Sequence, residues 1–168
     1  MALNLAGPKN IFRNSREIEL GFRSNVLRAN TKEIFVYPQD PEVAIQVEAF
    51  STSLLSSTGS TIFQFHVPND FNDVENVVVV IIPDATESIQ FDFDRSIVSV
   101  GDTVASSLIN AADITKNVTV NILTEIDIDD IGGTPTFTGK VKAGDYIGII
   151  FKSDTTNIRV MGLRFKYT

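Results

Sequence analysis

From residue 33 onward, most runs of the chain alternate apolar and polar side chains with a period of two. This constrains the fold more than any other feature, because period two is the repeat of a half-buried β-strand. Asn117–Ile128 is the clearest case: Val118, Val120, Ile122, Thr124, Ile126 and Ile128 share one face, and Asn121, Glu125 and Asp127 share the other. Glu87–Val98 repeats it, with Ile89, Phe91 and Phe93 turned in and Gln90, Asp92 and Asp94 turned out. Thr61–Val67 puts Phe63, Phe65 and Val67 on one face, and Glu33–Tyr37 and Val43–Phe50 read as short strands. Val74–Ile82 is apolar on both faces, which predicts a strand covered on both sides.

Breaks between these runs carry turn residues. Pro38, Pro41, Pro68, Pro83 and Gly132-Gly133 separate strands, Ser51–Ser60 reads as a Ser/Thr/Gly loop, and Gly101–Ile114 as a helical turn or crossing loop. The expected fold is all-β: an antiparallel β-sandwich or jelly roll of about eight strands. With 12 Phe and no Trp, its core leans on Phe, Ile and Val. At 168 residues, there is room for one such domain, over 34–168. Residues 1–33 lack sustained alternation and read as an extended arm. Its Phe12, Arg13, Arg16, Phe22 and Arg28 are candidate contacts to a partner.

Charge is segregated. Residues 1–33 carry net +3, residues 34–139 net −14 and residues 140–168 net +4. An acidic body disfavours nucleic acid as a partner. The longest apolar run, Val77–Ile82, is too short for a membrane span, and no signal peptide is expected. No Cys is present, which excludes disulfides, thiolate metal sites and a cysteine nucleophile.

Chemistry-bearing groups are sparse. His66, the one histidine, reads as a surface strand residue. Asp92 and Asp94 share a strand face at about 7 Å, a spacing open to a paired-carboxylate hydrolase, but no Trp is available as a sugar platform. Asp127, Asp129 and Asp130 with Gly132 hint at a calcium loop. Ile131 and Thr138 stand where the EF-hand pattern needs ligands, so the segment reads as an acidic turn. Asn117-Val118-Thr119 matches a glycosylation sequon and has no meaning without secretion. The expectation is a protein without catalytic residues, cofactor or metal.

At the C-terminus, Ile147, Ile149 and Phe151 point one way in Asp145–Lys152, and Met161, Leu163, Phe165 and Tyr167 point one way in Arg159–Tyr167. The two strands read as a hairpin, with Lys152, Arg164 and Lys166 on its outer side as a guard against edge aggregation or as a docking surface. Ala143-Gly144-Asp145 and Met161-Gly162-Leu163-Arg164-Phe165-Lys166-Tyr167 resemble the closing hairpin of β-sandwich proteins in tailed-bacteriophage virions. That resemblance covers about 30 residues. It implies a capsid decoration or cement protein, made in the host cytoplasm. Such a protein binds the major capsid protein on the virion surface and stabilises contacts between capsid subunits. A homotrimer matches a three-fold capsid site. The alternative role is a tail-fibre or receptor-binding module for host-surface glycan.

Overall fold

The computed structural model describes residues 30–39, 44–47, 50–55, 59–104, 108–131, 134–153 and 158–168. The strands are β1 (Lys32–Val36), β2 (Ala44–Val47), β3 (Phe50–Leu55), β4 (Ser60–His66), β5 (Val74–Pro83), β6 (Glu87–Val98), β7 (Leu108–Val118), β8 (Thr124–Asp127), β9 (Asp130–Ile131), β10 (Thr134–Pro135), β11 (Tyr146–Ser153) and β12 (Ile158–Tyr167). Antiparallel pairing builds a six-stranded sheet in the order β2-β3-β12-β5-β8, with β1 also on β12, and a four-stranded sheet in the order β4-β11-β6-β7. The β-sandwich expected from the alternation is the observed fold. The arm residues Phe12, Arg13, Arg16, Phe22 and Arg28 lie outside the described residues.

The inner faces follow period two. On β6, Ile89, Phe91 and Phe93 are fully buried, and on β11 so are Ile149 and Phe151. Across the gap, Val77, Val79 and Ile81 of β5 and Leu163 and Phe165 of β12 close the core. Phe65 of β4 meets Phe165 at 5.0 Å between ring centroids, joining the two layers. Tyr167 is buried, and the Thr168 amide donates to the Asp73 carbonyl at 3.0 Å.

Several sequence expectations are corrected. β11 and β12 are not a hairpin: β11 pairs with β4 and β6, and β12 with β1, β3 and β5. Each strand has one apolar face, and such faces bury equally well face to face across a sandwich as side by side. Lys152 and the pair Arg164 and Lys166 therefore stand on opposite outer surfaces and do not form one patch. Met161 does not share the face of Leu163. A bulge between Val160 and Gly162 shifts the register against β5 and moves the inward set from Ile158 and Val160 to Leu163, Phe165 and Tyr167.

Asn117–Ile128 is not one strand. Asn121 takes a left-handed φ of 58°, which asparagine tolerates, and the Ile122 amide donates to the Thr119 carbonyl at 3.1 Å. The turn leaves Ile122 and Leu123 exposed. Part of Gly101–Ile114 is strand β7, and part of Ser51–Ser60 is strand β3, which supplies buried Thr52 and Leu55.

Val78 and Val80, on the outer side of β5, are nonetheless buried. Arg164 of β12 pairs with Glu33 of β1 at 2.9 Å and with Glu125 of β8. Because β5 lies between β12 and β8, the arginine stem crosses over it. The two-faced strand thus finds its cover within the chain, and it gives no argument for a trimer.

Candidate binding groove on the four-stranded sheet

Outward positions of β4, β11 and β6 line up in rows. Gly148 of β11 is flanked by Gln64 of β4 and Ser96 of β6, and Tyr146 by His66 and Val98. Gly148 has no side chain and nothing stands within 4 Å of where its Cβ would lie. The missing side chain leaves a groove of about 360 Å³, lined by Gln64, Ser96, Val98, Val104, Tyr146 and Gly148, among others. Tyr146 is 54% exposed and forms a wall. The His66 ring meets it edge-on at 4.9 Å between centroids, which restricts its rotation.

Beyond the groove on the same face, Lys152 Nζ donates to Asp94 Oδ2 at 2.6 Å. Asp94 is thus engaged by an ammonium across the strands, and the carboxylate pair with Asp92 that the spacing left open has a cation on it.

The turn leading into β11 positions the groove's wall. Gly144 has φ of 84°, a backbone state that favours glycine, and its amide donates to the Val67 carbonyl at 3.1 Å. Buried Asp145 accepts from the Lys142 amide at 2.8 Å and from Ser99 Oγ at 2.6 Å. The Ala143-Gly144-Asp145 motif is therefore a clamp. It ties the start of β11 to the end of β6 and fixes Tyr146 one residue later.

The acidic turn is also occupied by its own backbone. Asp127 Oδ1 accepts from the Asp129 amide at 2.9 Å. The Asp129 carboxylate accepts from the Phe137 amide at 2.9 Å, the Thr138 amide at 3.1 Å and Thr138 Oγ1 at 2.8 Å. Beside it stands Arg95, only 3% exposed, on the inner face of β6. Its guanidinium lies 5.5 Å from the centroid of Phe137. Burial pushes its pKa down, and the Asp129 charge opposes that shift. Among the described residues, no three acidic or histidine side chains converge as a metal-binding group.

Sequence reasoning placed candidate contacts at Lys152, Arg164 and Lys166, all of which have ion-pair partners here. Tyr146 is not in that set, because its groove neighbours come from other strands. The available signal was an aromatic at an outward strand position, two residues before a glycine on the same face.

No family model matches the chain, and no curated protein matches it. Among solved structures, TmCBM61 in complex with β-1,4-galactotriose is similar, with TM-score 0.38 and 10% identity over 83% of this chain and 88% of that one. A structure of promiscuous carbohydrate-binding modules from the β-sandwich superfamily has TM-score 0.37 and 14% identity over 80% of this chain and 53% of that one. The chain thus spans about half the length of the second structure. The likeness concerns architecture, and each ligand is a property of the protein that was solved with it.

Proposed function

We propose that this protein is a non-catalytic binding module whose ligand is a glycan held in the Tyr146 groove. One observation carries the reading: a braced, half-exposed tyrosine stands beside a floor opened by Gly148, with the amide of Gln64 and the hydroxyl of Ser96 on either side. A sugar ring has an apolar C–H face and a hydroxyl edge. The tyrosine face suits the first, and the amide and hydroxyl suit the second. The lining offers an amide, a hydroxyl and an aromatic face, which suit recognition.

Affinity electrophoresis tests this directly. The protein is run through gels containing soluble galactan, xylan, mannan or β-glucan. Retardation in one of them, lost in Tyr146→Ala, supports the reading; equal retardation of wild type and Tyr146→Ala in every retarding gel removes the groove as the site.

The coat-decoration reading stays attached to the arm over 1–33 and its contacts at Phe12, Arg13, Arg16, Phe22 and Arg28. Its test is deletion of residues 1–30, which spares β1, with binding to phage particles as the readout; unchanged binding would remove the arm as the docking element.

A further inference from the structure

Exposed aromatic side chains are not confined to the groove. Tyr37 is 67% exposed and Phe35 39% exposed. Their rings meet edge to face, with centroids 5.1 Å apart. A single exposed ring is ordinary on a protein surface, but a pair held rigid needs a reason. Contacts on both sides hold this pair. Phe35 stands opposite Arg164 in the register of β1 and β12, so it lies on the outer face of the six-stranded sheet. Its ring occupies the space over Gly162. Beyond Tyr37, the Gln39 amide donates to the Ile62 carbonyl at 2.9 Å and Gln39 Nε2 donates to the Gln64 carbonyl at 3.3 Å. These bonds tie the segment down, so the rings lose little freedom when they meet a ligand.

The surface beside the rings is charged. Arg164 bridges Glu33 and Glu125, and Lys166 stands 4.0 Å from Glu33. A protein partner would have to bury this network and strip its water. Charged side chains are depleted from the cores of protein interfaces for that reason. A sugar meets the same surface without that cost, because its hydroxyls replace the water on the carboxylates and guanidinium while its C–H face stacks on the rings.

We infer that Phe35 and Tyr37 form a second carbohydrate-stacking platform. Phe35 stands on the sheet opposite the one that carries the Tyr146 groove, and Tyr37 follows the end of β1, so one molecule holds two polysaccharide chains and bridges them. The inference rests on the glycan-binding reading of the groove. It extends that reading from a single-site module to a cross-linker.

The full chain is compared as wild type, Tyr146→Ala, Tyr37→Ala and the double variant. Both tyrosines are exposed, so thermal melting is expected to be unchanged. With an oligosaccharide of whichever of galactan, xylan, mannan or β-glucan retards the wild type, calorimetry is expected to count two sites in wild type, one in either single variant and none in the double variant. Wild type alone is expected to turn a solution of the long polymer turbid. One site in wild type, abolished by Tyr146→Ala and untouched by Tyr37→Ala, overturns the platform and leaves the groove standing. No retardation in any of the gels overturns both. A self-association that Tyr37→Ala abolishes, with the site count unchanged, also overturns the platform and gives the rings to a second copy of the chain.

Discussion

The ring of Phe35 fills the space that a side chain at Gly162 would need. A Cβ built on Gly162 falls inside the van der Waals envelope of Phe35 Cε1 and Cζ and within 2.9 Å of the Val36 carbonyl oxygen. The glycine is therefore required by close approach. Gly162→Ala is expected to destabilise the fold by about 1–3 kcal/mol, the usual cost of overpacking. Phe35→Ala in the same chain relieves the ring clash, so the double variant should recover part of the loss. Chemical denaturation of the four proteins checks this as a double-mutant cycle. Additive losses would mean that the two residues are not coupled.

Gly148 is the opposite case. Its Cβ would meet nothing within 4 Å, and its φ is not in the left-handed region. Gly148→Val should therefore leave the melting temperature unchanged or raise it, since valine suits a strand better than glycine does. The new side chain stands on the groove floor. Glycan retardation in affinity gels is expected to fall at least about tenfold, equivalent to about 1.4 kcal/mol. Full retention of binding would place the ligand elsewhere.

Arg95 is buried beside Phe137 and Asp129. Arg95→Ala leaves a cavity and strips the opposing charge from a mostly buried carboxylate. The expected loss is about 3 kcal/mol, in the range for truncating a large side chain in a core. Arg95→Met keeps much of the volume and should lose less, because its side chain still packs against Phe137. Equal losses in the two variants would remove packing from this account. Urea midpoints of the variants are the measurement.

The hydrogen bonds from Arg164 hold the Glu33 carboxyl below its ordinary pKa against the opposing effect of desolvation, with the Arg164 and Lys166 charges adding to the lowering. A depressed folded-state pKa contributes stability that is present above the unfolded value, about 4.3 for glutamate, and is lost as pH falls through the folded one. Stability should thus fall on acidification below that range. Glu33→Gln should make this acid limb shallower while lowering stability slightly at neutral pH. Melting curves across the acid range check it, and an unchanged slope would show that the pair contributes nothing. Glu33 is partly solvent-exposed, so the effect is small.

The legible part of the candidate site was its inward scaffold. Ile147, Ile149 and Phe151 announce a strand with one buried face, and Tyr146 and Gly148 are then outward by alternation. What could not be read was that Gln64, Ser96 and Val98 stand beside them. Those residues come from strands far away in the chain, and hydrogen-bond pairing alone brings them to one surface. The Phe35–Tyr37 platform was hidden for the same reason, since its glycine notch belongs to β12.

By itself, the sequence determined the fold class and which side of β4, β6 and β11 faces the core, because period-two burial is a local property of the chain. It did not determine neighbours. A strand with one apolar face pairs side by side or packs face to face at similar gain in buried area, so β11 and β12 read as a hairpin and belong to opposite sheets. Nor did alternation distinguish a strand from a turn at Val118, Val120 and Ile122, where left-handed Asn121 breaks the ladder. Only tertiary packing decided these, because the free energy that separates the alternatives lies in contacts between residues distant in sequence.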